Sequence, residues 1–288
     1  MRDPHVRPVG GISLPRALHR IGAYRELQVP APLARLVDVA WVHRAPDSAM
    51  LAYPGSMVLP EPAVSLCFAC QRDARGWAGA AELLLIGPVR TPRTYLPERR
   101  RSMAAVRVHP EWCRSILGID PRDHTDALDD YAAIRPQRGR ALLAELCATR
   151  SPRESLQCLF AFVDRASRRH RPDGTALLVH RGLRLLRRLP RPDGVGALAD
   201  TLGISARHFR RVVAETCGLA PRDYARLERF RGVLRDADRA DRPRWRDLAA
   251  LHGYADQPHL SREARRLSGL PPRRLHAERR RCTPAAGT

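Results

Sequence analysis

Hydrophobic positions recur along this chain in two rhythms, and the change falls near Pro110. From Tyr24 to about Val108 the apolar residues come in short runs (LVDVAWVH, MVLP, AVSLCFAC, ELLLIGPV, SMAAVRVH) separated by proline and glycine. Runs of that length between turn formers predict a small β-rich domain. After Pro110 the spacing becomes helical. It predicts a short helix over 111–117, longer amphipathic helices over 136–148 and 152–169, and another from about 176 to 189 that Pro190 and Pro192 terminate. Residues 1–22, rich in Pro, Gly and Arg, read as a flexible leader, and RHRPDG at 169–174 reads as a linker.

The C-terminal hundred residues carry the most informative pattern. Residues 195–219 read VGALADTLGISARHFRRVVAETCGL. Leu198 and Ala199 lie on one helix that stops at Gly203, and Ser205 is a suitable N-cap for the next. That second helix turns Phe209, Val212 and Val213 inward at i, i+3 and i+4 and leaves Arg207, Arg210 and Arg211 outward. A helix, a Gly-containing turn and a helix with a polar outer face make a helix-turn-helix.

The pattern recurs about 50 residues later in WRDLAALHGYADQPHLSREARRLSGL, residues 245–270. Leu248-Ala249 precedes Gly253, and Asp256 opens a helix whose inward face is Leu260, Ala264 and Leu267. Its outward face is Gln257, His259, Ser261 and Arg262. Both units close alike, with CGLAPRDY and SGLPPRRL. Between them, 221–239 starts with proline at a first helical position and predicts a rod of roughly 28 Å. Such a spacer suits two recognition helices held about one DNA turn apart, roughly 34 Å, on one side of a duplex.

Charge adds less than its size suggests. The net charge is +21 over 288 residues, yet all 51 basic side chains are arginine and none is lysine. With abundant Ala, Pro and Gly, that pattern fits a high-GC coding bias as well as selection for arginine. Residues 1–120, 121–190 and 191–280 carry nets of +6, +6 and +8, so charge favours polyanions in general without marking one domain. Aromatic residues, at 5%, are too few for a base-stacking platform. The basic N-terminus has no apolar signal segment, no run approaches a membrane span, and seven cysteines fit a reduced cytoplasmic protein.

The outward residues supply the chemistry of readout. Arginine can bond bidentately to guanine O6 and N7, and glutamine to adenine. Arg265, Arg266, Arg273 and Arg274 suit phosphate contacts, which set register and salt dependence. The stretches ALADTLGISARHFRRVVAETCGLAPRDYARLERF and DLAALHGYADQPHLSREARRLSGLPPRRL resemble the DNA-binding domain of the AraC/XylS family of bacterial transcription regulators, over about 176–275. The resemblance puts Arg207, Arg210 and Arg211 at the base-reading positions of the first unit, and Gln257, His259, Ser261 and Arg262 at those of the second. Two departures stand out: Ala264 and Leu267 occupy positions where the family usually or often has aromatics, and Pro258 one that is often polar. The smaller residues predict a looser second unit.

The N-terminal part resembles the β-rich domain of one branch of these regulators, through YRELQVPAPLARLVDVAWVH, VLPEPAVSLCF, LIGPVRTPRTY and AAVRVHP. That branch commonly has Pro-Asp-Gly where Pro60-Glu61-Pro62 stands here. Such domains sense small molecules or mediate dimerisation.

The expected architecture is therefore α+β. It has a leader (1–22), a β-rich, barrel-like sensory or dimerisation domain (23–120), a helical connector (121–173) and an all-α reader (174–280). In the reader, a long linker helix (about 221–239) joins helix-turn-helix units at about 195–217 and 245–268. The expected partners are double-stranded DNA, RNA polymerase, a small-molecule effector and a second copy of the chain, with no membrane, cofactor or metal. No catalytic set emerges: Asp126, Asp129 and Asp130 read as a solvated helix start, and Trp41 and Trp112 as packing anchors. Cys67 and Cys70 form a CxxC, but positions three apart on a strand point to opposite faces, so two structural cysteines are expected. The rival reading is a DNA-repair or other enzyme with an accessory AraC-like domain, which requires a zinc-bound reactive cysteine such as Cys67.

Overall fold

The computed structural model describes residues 17–21, 24–44, 56–73, 76–95, 101–169, 173–187, 194–240 and 242–281. Nine strands are found among them: β1 (Ala17–Ile21), β2 (Tyr24–Leu27), β3 (Val37–Arg44), β4 (Ser56–Val58), β5 (Val64–Asp73), β6 (Gly76–Ile86), β7 (Arg93–Tyr95), β8 (Arg101–Val108) and β9 (Leu128–Asp130). Seven form one antiparallel sheet in the order β1-β2-β3-β8-β5-β6-β9, and β4 pairs with β7 separately. Only residues 17–21 of the expected leader are described, and they form edge strand β1 on β2.

The sheet buries both faces, which explains the near-continuous apolar runs of its central strands. In the register of β3, β8 and β5, Val106 sits between Ala40 and Leu66, and Ala105 between Trp41 and Cys67. Leu66, Phe68, Leu83, Leu85 and Val106 belong to one core, and Val39, Trp41, Cys67, Ala69 and Met103 to another. Cys67 and Cys70 thus lie in separate clusters on the two faces, as strand alternation requires.

The helices begin with α1 (Cys113–Ile116), α2 (Tyr131–Ile134), α3 (Pro136–Cys147) and α4 (Pro152–Arg169). Leu142 and Leu146 of α3, and Leu156, Leu159, Phe160 and Val163 of α4, join the first sheet core. The segment expected as a connector therefore covers one face of the sheet, because an apolar sheet face must be buried by another layer. The acidic run meets expectation at Asp130, an exposed helix start, but not in its pairing. Leu128–Asp130 pairs with β6, and Asp130 caps the short α2 by accepting from the Ala132 amide at 2.8 Å.

The C-terminal part is all helical: α5 (Gly174–Leu186), α6 (Val195–Thr201), α7 (Ala206–Cys217), α8 (Pro221–Arg239), α9 (Trp245–Leu251), α10 (Gln257–Ser268) and α11 (Pro272–Arg281). It contains two cores. Val179, Leu183, Leu198, Phe209, Val213 and Tyr224 pack in the first; Phe230, Val233, Leu234, Trp245, Tyr254 and Leu260 pack in the second. Helix α8 contributes to both, its first turns to one and its later turns to the other.

Candidate nucleic-acid interface

The duplication seen in the sequence extends to the ends of the helices. Gly203 and Gly253, in the two turns, have φ of +68° and +69°, which glycine adopts without steric cost. Ser205 accepts from the His208 amide at 3.2 Å and Asp256 from the His259 amide at 2.6 Å, so each second helix starts on a side-chain cap. Gly218 and Gly269 end α7 and α10 in the left-handed conformation, and Pro221 and Pro272 start the helices that follow.

On α7, Arg207, Arg210 and Arg211 all lie in the first two turns and are exposed. Arg211 Nη1 pairs with Glu215 at 3.2 Å, a solvent-screened contact that an incoming ligand can replace. On α10, Arg262 is exposed and Gln257, His259 and Ser261 are half-buried. The His259 ring packs edge-on against Tyr254, with centroids 5.3 Å apart, and its Nδ1 accepts from the Ala255 amide at 3.4 Å. Arg265 and Arg266 on α10 and Arg273 and Arg274 on α11 are exposed. Arg274 pairs with Glu278 at 3.2 Å.

The inward faces are matched position by position at a spacing of 51 residues. The buried residues of α7 are Phe209, Val212, Val213 and Cys217; those of α10 are Leu260, Glu263, Ala264 and Ser268. In the first unit Phe209 fills a notch at Gly182 of α5, where a Cβ would stand 2.4 Å from its ring. In the second unit, the position of Val212 is taken by a carboxylate only 5% exposed. Arg226 of α8 meets it bidentately, Nε to Oε1 at 2.9 Å and Nη2 to Oε2 at 2.7 Å. Burial would raise the Glu263 pKa, but hydrogen bonding and charge from Arg226 outweigh it and hold the carboxyl below its usual range. One turn on, the Arg229 guanidinium lies 4.0 Å over the Tyr254 ring, and Asp236 bonds His252 at 2.9 Å.

Helix α8 also meets the sheet. Arg231 Nη2 lies 3.1 Å from Asp38 and 3.1 Å from Glu61, and its Nη1 lies 2.7 Å from Glu228. Arg107 of β8 reaches the same Glu61 oxygen at 3.3 Å. Burial raises the Glu61 pKa; at Asp38 burial acts the same way, but Arg231 chief among its cationic neighbours pulls the carboxyl strongly down. Arg187, at the end of α5, donates to Tyr224 at 2.5 Å and lies 3.0 Å from His109 Nδ1. His180 of α5 pairs with the buried Glu111 at 2.8 Å, beside the Trp112 ring. None of these interdomain ion pairs was foreseen from sequence, because periodicity marks apolar faces and says nothing about which arginines find carboxylates.

Residues 198–278 match the helix-turn-helix domain family, and residues 25–128 match a domain of unknown function, DUF6597. No curated protein matches the chain. Among solved structures it is similar to ToxT from Vibrio cholerae, at 9% identity and TM-score 0.42 over 82% of this chain and 96% of that one. Similar values hold for ToxT with an unsaturated fatty acid bound (9%, TM-score 0.44, 82% and 93%). They hold again for ToxT bound to (E)-4-(8-methylnaphthalen-1-yl)but-3-enoic acid (11%, TM-score 0.44, 83% and 97%). Among the described residues no helix is long and apolar enough to cross a membrane. With its duplicated, capped helix pairs and the match over 198–278, the chain carries an AraC-type helix-turn-helix domain and is a DNA-binding transcription regulator.

Proposed function

We propose that the protein binds a specific duplex sequence by inserting α7 and α10 into adjacent segments of the major groove. In this reading Arg207, Arg210, Arg211, Gln257, His259, Ser261 and Arg262 read base edges. Arg265, Arg266, Arg273 and Arg274 hold phosphates and set the register. The observation that carries the proposal is the pairing itself: two helices with matched caps expose basic outer faces while their inner faces dock on opposite ends of one rod, α8. In this arrangement one chain reads two successive stretches without a second copy.

The N-terminal region modulates that activity in the cytoplasm, as a sensory or dimerisation domain over residues 23–120 with helices over 121–173 and the reader over 174–280. Its link to the reader runs through the Arg231 network on α8. RNA polymerase, a small-molecule effector and a second copy of the chain are its further partners. In binding titrations, Arg211→Ala or Arg262→Ala is expected to cost about 1–3 kcal/mol on the cognate site and to change affinity for random DNA little. Equal losses on both duplexes would contradict base readout at these positions.

A further inference from the structure

The geometry points to Glu263 and Arg226 as the residues that aim the second recognition helix, a role that rests on the two-helix reading above. Neither faces the groove-reading side: Glu263 is on the buried face of α10 and Arg226 is on the rod. The argument starts from the repeat. At four matched buried positions the first unit has Phe209, Val212, Val213 and Cys217, and the second has Leu260, Glu263, Ala264 and Ser268. The second helix thus has less apolar volume with which to fix its rotation and tilt, because Ala264 and Ser268 fill little space.

A bidentate guanidinium–carboxylate pair supplies what packing does not. Two parallel N–H···O bonds, at 2.9 and 2.7 Å, fix the carboxylate plane relative to the guanidinium plane, so both distance and angle between α8 and α10 are set. Apolar contacts are non-directional and permit small rolls of one helix on another. A roll of α10 displaces Gln257, His259, Ser261 and Arg262 together, since all four project from the same two turns. Arg229 stacked on Tyr254 and the His252–Asp236 bond secure the turn before α10, and the Glu263 pair adds a directional contact to the apolar packing of Leu260 and Ala264 on the helix itself. Arg226, Arg229 and Arg266 face Glu263, and Asp223 faces Arg226.

The test replaces both partners by apolar residues, R226M/E263M, which keeps the site filled and leaves no charge unpaired. Duplex DNA carrying the cognate site is footprinted with hydroxyl radicals, and amide hydrogen exchange is followed in α10 of the free protein. The double variant is expected to lose about tenfold in affinity for the full site, the scale of one lost base-pair readout. It should lose protection over the segment contacted by α10, keep it over the α7 segment, and exchange α10 amides faster. E263Q, which retains one accepting oxygen but turns an N–H toward the guanidinium, should shift every readout the same way. The charge-reversed pair R226E/E263R should recover part of the affinity. Wild-type affinity, footprint and exchange in the double variant would overturn the assignment; should that variant not fold, the same results with E263Q would overturn it. If the wild type protects only one segment, the two-helix reading fails on its own, while α10 exchange still reports on the pair.

Discussion

At the scale of single residues, glycine shows how the same side chain serves opposite ends. Gly182 lies within α5, where alanine would ordinarily favour the helix by about 1 kcal/mol. Here a Cβ would stand 2.4 Å from Phe209 Cε2, so the notch admits the ring only because the side chain is absent. Gly196, within α6, has nothing within 4 Å of its Cβ position. Gly182→Ala is expected to destabilise by about 1–3 kcal/mol through overpacking, and Gly196→Ala to stabilise by about 0.5–1 kcal/mol. Thermal or denaturant unfolding reads both, and equal signs would refute the account. Both glycines were visible in the sequence, but only the position of the Phe209 ring separates them.

At the scale of elements, the helix-turn-helix units were legible because their signals are local. Caps, turn glycines and apolar spacing act within a few residues of one another, and Ser205, Gly203 and Phe209 stand where those rules place them. The outward positions on α7 and α10 follow from the same periodicity, and the expected inward residues Leu260, Ala264 and Leu267 are buried or partly so. Glu263 was missed because a charged residue on a helix is ordinarily read as solvent-facing. The one signal that could have found it is the repeat, which sets Glu263 at the place of Val212. The caps carry a direct test: Ser205→Ala and Asp256→Ala are each expected to cost about 1 kcal/mol in unfolding measurements. Faster amide exchange should be confined to the first turn of the helix concerned, and a uniform change across the domain would count against a capping role.

At the scale of the whole molecule, a buried charge network joins the sheet to the rod between the two readers. Arg231, with its side chain 16% exposed, is enclosed by Asp38 and Glu61 from the sheet domain and Glu228 from its own helix. Removing one partner of such a network leaves carboxylates buried without their counter-charge, which costs more than the pair contributes when intact. Arg231→Met is therefore expected to lower stability by about 3–5 kcal/mol. It should also split unfolding, followed by calorimetry, into separate transitions for the sheet and the helical reader. A single transition at the wild-type temperature would show that the network does not couple them. The exposed arginines of α7 and α10 lie outside this network, so DNA affinity should fall less than stability.

The sequence by itself determined the kind of protein this is. A region of short apolar runs between turn formers, a period-3.6 region and a duplicated helix pair rest on local backbone and side-chain preferences that each segment carries wherever it sits. Only the tertiary structure decided which of 51 arginines are free for a polyanion and which are held inside by carboxylates. Arg207, Arg210 and Arg262 face water, whereas Arg107, Arg226 and Arg231 are paired across elements. Those pairings join residues as far apart as Asp38 and Arg231, and a charge carries no periodicity that would name its partner in advance. The same holds for the helices over 136–169, whose amphipathic pattern announced a buried face while only the fold showed that the sheet is what buries it.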